Sequence, residues 1–185
     1  MSTLMDQQTG SPEPPAPDSG FAGRIAQMAA VVSSAKFPAG DRASFRRHAP
    51  GRAPSLAYHR FWPRWMNSEP PAEAQSQDWA LIIFGLALGG DAVHQRAKSL
   101  GAALAEAGYS DARLERLLAA EEQDLRRQAF ARALRFLAAK NQGFDWVGAA
   151  AWLLGSGDTR EKHARRIATD FYRAQPRPAQ NADKE

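Results

Sequence analysis

Side chains able to perform acid–base or metal chemistry form no recognised motif in this sequence. Neither His-x-x-x-His spacing nor a carboxylate–histidine metal motif is formed by the four histidines, His48, His59, His94 and His163. Glu121 and Glu122 are adjacent, and because successive helical residues point about 100° apart, these carboxylates do not face each other. No Gly-rich phosphate loop and no Gly-x-Ser-x-Gly sequence occurs. We therefore expect a protein that is not an enzyme, with no catalytic residues, no cofactor and no metal.

Arginine is the residue type whose clustering points to a function, and that function is binding. Residues 36–64 contain seven Lys or Arg and one acid, a net charge of +6, whereas the whole chain nets +4. A planar guanidinium recognises phosphate oxygens, so concentrated arginine favours polyanions. The candidate nucleic-acid-binding residues of this segment are Arg42, Arg46, Arg47, Arg60 and Arg64.

Aromatic residues lie beside these arginines, namely Tyr58, Phe61, Trp62 and Trp65. They could stack on unpaired bases of a nucleic acid. Aromatic residues at helical spacing are also typical of a hydrophobic core, and this second interpretation is favoured here. Only Trp62 and Trp65 remain candidates for stacking on bases.

Two predicted helices carry further basic strips opposite an apolar stripe. In the helix predicted for 122–139, the basic residues on the outer side are Arg127, Arg132 and Arg135. In the last helix they are Lys162, Arg166 and Arg173, with Arg165 at the margin. An ordinary solvated face is the alternative for either strip taken singly, but three basic surfaces in one small protein favour binding.

Composition restricts the partners and the compartment. The segment 21–174 holds 22 basic and 15 acidic residues, a net charge of +7, which favours nucleic acid or acidic protein surfaces. Arginine outnumbers lysine 19 to 5, which fits phosphate recognition but is also typical of chains from high-GC genomes. The absence of cysteine excludes disulfides and thiolate metal sites. With no signal-peptide pattern and no apolar run long enough for a bilayer, we expect a cytoplasmic protein.

Hydrophobic periodicity predicts an all-α protein, a helical bundle of about eight or nine helices with short connections. No segment shows the alternation of a strand. Predicted N-caps are Asp41, Ser110 and Asp145, and Pro63 is expected to end or bend a short helix. The segment 78–89 is apolar nearly all round, which predicts a buried central helix. The predicted helices are 21–34, 41–47, 55–62, 78–89, 91–107, 111–120, 122–139, 146–154 and 158–173.

The ends of the chain differ in composition from its middle. Residues 1–20 are rich in proline and small polar residues, and 175–185 are similar, so both segments are expected to be disordered. The helical domain is then 21–174. A polar, proline-bearing linker at 66–76 divides it into two expected lobes, 21–65 and 77–174.

In their order, these motifs resemble one protein family. Gly40-Asp-Arg-Ala-Ser-Phe-Arg-Arg47 followed by Ala57-Tyr-His-Arg-Phe61 resembles the arginine-pair and Phe-Tyr-Arg region of CasB, the small subunit of the type I-E CRISPR surveillance complex Cascade. The same family is matched by Leu100–Gly108, by Leu114 to Leu118, by Leu125-Arg-Arg127, by Phe144-Asp-Trp146 and by Ala164–Arg173. The collinear matches cover about 36–173.

The resemblance implies an all-helical, non-catalytic subunit that is present as a pair. Its implied partners are the CRISPR guide RNA, the displaced strand of the target DNA, the Cascade backbone and large subunits, and a second copy of itself. Carried over position by position, the arginine pair is Arg46 and Arg47, the second basic site is Arg126 and Arg127, and the terminal site is Arg165 and Arg166. The acidic stretch Ala119-Ala-Glu-Glu122 departs from the family pattern, and residues 1–20 have no counterpart in it.

Two functions therefore compete. The first is a structural subunit of Cascade that binds the nucleic-acid backbone without sequence preference and stabilises the guide–target R-loop. Guide pairing supplies the sequence specificity in such a complex, so the protein needs only backbone-directed positive charge. The second is a helical scaffold whose basic faces dock acidic protein surfaces without touching nucleic acid.

Overall fold

The computed structural model describes residues 20–90 and 94–176. In these residues the chain forms nine α-helices and one π-helical turn, with no strand, so the predicted all-α bundle is confirmed. The predictions made for 1–19 and 177–185 lie outside the described residues. The helices are α1 (Phe21–Ser33), α2 (Ala39–Arg46), α3 (Leu56–Phe61), α4 (Glu73–Leu88), α5 (Leu100–Glu106), α6 (Asp111–Leu118), α7 (Gln123–Ala139), α8 (Trp146–Leu154) and α9 (Gly157–Ala174).

Helix α4 is the centre of the bundle, as its apolar sequence predicts. Every residue from 78 to 87 is buried, and α1, α2, α7 and α8 all pack against this helix. Gly85 allows the closest approach, because a Cβ there would lie 2.2 Å from the Trp146 ring of α8. The helix begins at Glu73, inside the range expected to be a linker. The division into two lobes stays a prediction.

Residues 94–99 are not helical, so the helix predicted for 91–107 is wrong over this part; residues 91–93 lie outside the described residues. His94 forms an isolated parallel bridge with Phe144, and the Gln95 amide donates to the Phe144 carbonyl at 3.1 Å. The Asp145 amide donates to the Lys98 carbonyl at 2.6 Å. This pairing with a distant segment satisfies backbone groups that a helix would otherwise satisfy. Helix α5 therefore starts only at Leu100.

The predicted helix caps have mixed outcomes. The Asp145 carboxylate accepts from the Val147 amide at 2.9 Å and caps α8 as predicted. Asp41 is not an N-cap, because α2 already begins at Ala39. Pro38 occupies the N-cap position, and its ring fixes its own φ angle. The α-helix α3 ends at Phe61, two residues before Pro63, and the chain continues as the π-helical turn Trp62–Met66, so the prediction that Pro63 ends or bends this helix is confirmed.

The aromatic residues of the arginine-rich segment build the core of this end of the bundle. Trp62 has no exposed surface and contacts Trp79 of α4 edge-to-face, with ring centroids 5.5 Å apart. Phe37 contacts Phe45, Phe61 and the half-buried Trp65. Trp62 is therefore core and is not a stacking platform. Helices α2 and α3 are short; the aromatic cluster holds them together, and Trp62 joins the cluster to α4.

Candidate nucleic-acid interface

Arg46 and Arg47 lie at the end of α2, where the helix runs onto the side of α4. The Arg46 Nε donates to the Ala87 carbonyl at 2.7 Å, in the last turn of α4, where the helix dipole attracts a cation. Its side chain nevertheless stays exposed. Arg47 is exposed and has no carboxylate partner among residues 20–90 and 94–176. The pair thus offers positive charge to solvent, and one member is also anchored.

Arg135 of α7 contacts α4 at Phe84, one turn before the Ala87 carbonyl that Arg46 binds. Its guanidinium carbon lies 5.0 Å from the centre of the Phe84 ring, and the His48 ring contacts that phenylalanine at 6.5 Å. Burial, and then the nearby Arg135, lower the pKa of His48, so this imidazole is neutral at pH 7. We call Arg46, Arg47 and Arg135 the α2–α7 basic surface. The sequence places these residues on two separate strips, and the fold brings the strips together.

A second group of arginines lines a cleft of about 340 Å³ between α6 and α7. Arg132 lies one turn before Arg135, so this α6–α7 cleft adjoins the α2–α7 basic surface. Arg113 and Arg116 are not among the predicted binding residues, because the α6 motif from Leu114 to Leu118 is defined by its leucines; the i, i+3 spacing of the two arginines was the available signal. The lining residues are Tyr109, Arg113, Arg116, Leu117, Ala129, Arg132 and Phe136.

Two predicted binding residues, Arg126 and Arg127, are buried and do not belong to the interface. The Arg127 Nε donates to Asp78 Oδ1 at 2.6 Å, and its Nη1 donates to Asp124 Oδ1 at 2.9 Å. Burial lowers the pKa of Arg127, but the hydrogen bonds and charges of the two carboxylates outweigh it and raise that pKa. The Arg126 Nη1 donates to the Glu121 carbonyl at 3.1 Å, just beyond the end of α6. Arg127 joins α7 to α4, Arg126 fixes the loop that precedes α7, and both arginines are shielded from solvent.

Three other predicted residues of the first segment have different surroundings. Arg42 is half-buried and donates to the Val32 and Ser34 carbonyls, so it satisfies two carbonyl groups at the end of α1. Arg60 forms an ion pair of 2.6 Å with Asp41, and this pair lowers the charge that α3 presents. Arg64 is exposed, with no carboxylate partner in the part of the chain that the structure describes. Of these three, only Arg64 is exposed without an ion-pair partner among the described residues.

The basic strip of α9 is exposed, but acidic residues are interspersed with it. Lys162, Arg165, Arg166 and Arg173 all face solvent, and Asp170 lies 3.9 Å from both Arg166 and Arg173. These two arginines border a groove of about 580 Å³ between α5, α8 and α9, together with Arg96 and Asp145. We call this the α9 groove. Its charge is mixed, whereas no acid within 20–90 or 94–176 forms an ion pair with the α2–α7 basic surface.

The described residues offer no group of three or more His, Cys, Asp or Glu side chains that could hold a metal ion. Within the same residues, no helix has the length and apolar character needed to cross a membrane. The features that stand out are therefore the basic surfaces.

Comparison with known proteins gives one match. The family described as CRISPR-associated protein Cse2 matches residues 41–172, from the first turn of α2 to the last turn of α9. Searches among curated proteins and among solved structures gave no match. The family match covers well over half of the chain and agrees with the collinear motifs. The chain therefore belongs to the Cse2 family, the CasB structural subunit of the type I-E CRISPR Cascade complex.

Proposed function

We propose that the α2–α7 basic surface contacts the phosphate backbone of nucleic acid in the assembled complex and stabilises the guide–target R-loop. The observation that supports this proposal is the convergence of Arg46, Arg47 and Arg135 from two helices, with no carboxylate partner among the described residues. An unpaired exposed guanidinium releases counterions from a phosphate backbone when it binds. Because the guide supplies sequence recognition, such contacts are sufficient.

The partners in this proposal follow from the charge of each surface. The α2–α7 basic surface meets the displaced strand of the target DNA or the guide-paired duplex. The α9 groove, with Asp170 between Arg166 and Arg173, suits a protein surface that carries both charges, such as a Cascade backbone or large subunit or a second copy of this chain. The competing scaffold hypothesis assigns a protein partner to both surfaces.

The test is the lifetime of the R-loop in complexes assembled with Arg47→Ala/Arg135→Ala. This pair is better suited than Arg46→Ala/Arg47→Ala, because Arg46→Ala also removes the hydrogen bond to the end of α4. We expect a lifetime shorter by about tenfold, since each lost phosphate contact weakens binding without changing which guide is used. The measurement is release of labelled target DNA after a chase.

Two controls make the result specific. Arg47→Lys/Arg135→Lys keeps the charge, so most of the lifetime is retained if the contacts are electrostatic. Arg24→Ala removes one exposed charge at the end of α1 that contacts Trp79, eight residues before Ala87 on α4, and we expect it to leave the lifetime unchanged. An unchanged lifetime in the double alanine variant, in complexes of normal composition, would favour the scaffold hypothesis.

A further inference from the structure

The α6–α7 cleft has a composition that backbone binding alone does not require. It combines three arginines, Arg113, Arg116 and Arg132, with the rings of Tyr109 and Phe136. None of the three arginines has a carboxylate partner among residues 20–90 and 94–176. An arginine cluster that only supported the fold would be expected to pair with acids, as Arg127 does with Asp78.

Arg113 is held at the mouth of the cleft by the two rings. Its guanidinium carbon lies 6.0 Å from the centre of Tyr109 and 5.9 Å from that of Phe136, and the two rings contact each other edge-to-face at 5.1 Å. Cation–π contacts of this kind fix the planar group and reduce the entropy it loses on binding. Arg113 itself is exposed, so its outer side is available to a ligand.

Tyr109 lines the cleft together with the three arginines. Burial raises the pKa of Tyr109, and the charges of Arg113, Arg116 and Arg132 oppose this rise without cancelling it. The hydroxyl stays neutral at pH 7 and can donate or accept a hydrogen bond. The floor of the cleft is apolar, made by Leu117 and Ala129.

We infer that the α6–α7 cleft binds one unstacked nucleotide of a single strand, with the base on Arg113 and the flanking phosphates at Arg116 and Arg132. This inference rests on the proposed function and adds a base-contacting subsite to it. Unpaired bases stack on guanidinium planes as well as on aromatic rings. The cleft volume of about 340 Å³ suits one nucleotide. Arg132 and Arg135 are one turn apart, so a strand leaving the cleft meets the α2–α7 basic surface.

The experiment compares the affinity of the full chain for a short oligothymidine and for an abasic oligonucleotide of the same length. The abasic strand keeps the phosphates and removes the bases, so it separates stacking from charge. We expect the oligothymidine to bind about tenfold more tightly. Arg113→Lys keeps the positive charge but removes the planar guanidinium group on which a base could stack. We expect it to abolish the preference for oligothymidine and to leave the affinity for the abasic strand unchanged. Arg24→Ala keeps the preference.

Any other outcome overturns the inference. Equal binding of the two strands by the unmodified chain, with affinity that still falls with salt, removes the base subsite and leaves the proposed function standing. Absence of salt-dependent binding to either strand overturns both. Tighter binding of a hexaglutamate peptide than of oligothymidine, lost in Arg113→Lys, assigns the cleft to an acidic protein segment instead.

Discussion

Arg127 shows why an arginine in a basic motif need not bind a ligand. Its side chain is buried between Asp78 and Asp124, and Gln123 donates a further hydrogen bond of 2.8 Å to Asp78. We expect Arg127→Ala to lower the free energy of unfolding by about 3–5 kcal/mol, because it leaves the Asp78 carboxylate buried without its cation. Urea denaturation of the isolated chain measures this change.

A matched control lies on the same helix. Arg132→Ala removes an exposed arginine of α7 that has no carboxylate partner among the described residues, so we expect a change within about 0.5 kcal/mol. Replacing the pair together, as Asp78→Leu/Arg127→Met, is expected to recover much of the loss. Equal small effects of Arg127→Ala and Arg132→Ala would contradict the structural role of the buried pair.

His48 gives the protein a pH dependence at the α2–α7 basic surface. Burial and Arg135 lower the pKa of His48 in the folded state below the ordinary histidine value of 6.5, so the unfolded chain binds the proton more tightly. Stability therefore falls as the pH drops below about 6.5, and this loss ends once the pH is below the lowered folded-state pKa. We expect His48→Gln to reduce the loss in thermal melts between neutral and mildly acidic pH.

The exposed His59 provides the comparison for this measurement. His59→Gln leaves the His48 imidazole and its neighbours in place. We therefore expect its melting temperature to change with pH as that of the unmodified chain does. The pKa values of His94 and His163 are also lowered, first by burial, so part of the acid sensitivity remains in His48→Gln. An identical pH profile for His48→Gln and the unmodified chain would contradict the assignment.

At the scale of elements, the close crossing of α5 and α9 shapes the α9 groove. A Cβ on Gly101 would lie 2.1 Å from the Ile167 carbonyl oxygen and 2.8 Å from the Phe171 amide nitrogen. These are backbone atoms, so Gly101→Ala must push the helices apart, and we expect it to lower the free energy of unfolding by about 1–3 kcal/mol. Thermal or urea unfolding measures the change.

Gly148 is the matched control, because it is also a helical glycine and a Cβ there would meet no atom within 4 Å. Gly148→Ala is expected to be neutral or to stabilise the chain by up to about 1 kcal/mol, since alanine is the better helix former. If both substitutions stabilise the protein equally, α5 and α9 are not in contact as described.

For the whole molecule, the sequence predicts what depends on local pattern and misses what depends on distant contacts. The all-α fold, the buried α4 and the cap at Asp145 follow from periodicity and local hydrogen bonding. The start of α5 could not be predicted, because the pairing of His94 with Phe144 spans a long stretch of chain.

The same division applies to the interface. The exposed arginine pair of α2 was predicted from its clustering, and the family from the order of the motifs. Helical periodicity did not show that Arg127 is buried, because its partner Asp78 comes from another helix. The meeting of α2 with α7 across Phe84 is likewise a property of the packed bundle. Charge clustering therefore finds candidate residues, and only packing separates structural arginines from free ones.

The most direct test of backbone binding by the α2–α7 basic surface is the salt dependence of target DNA binding by the assembled complex. The slope of log affinity against log salt concentration reports the number of phosphates neutralised. We predict that Arg47→Ala/Arg135→Ala makes this slope shallower by about 1 to 2, as expected for two lost contacts, while Arg24→Ala leaves it unchanged. A slope identical to that of the unmodified complex would contradict nucleic-acid contact by this surface.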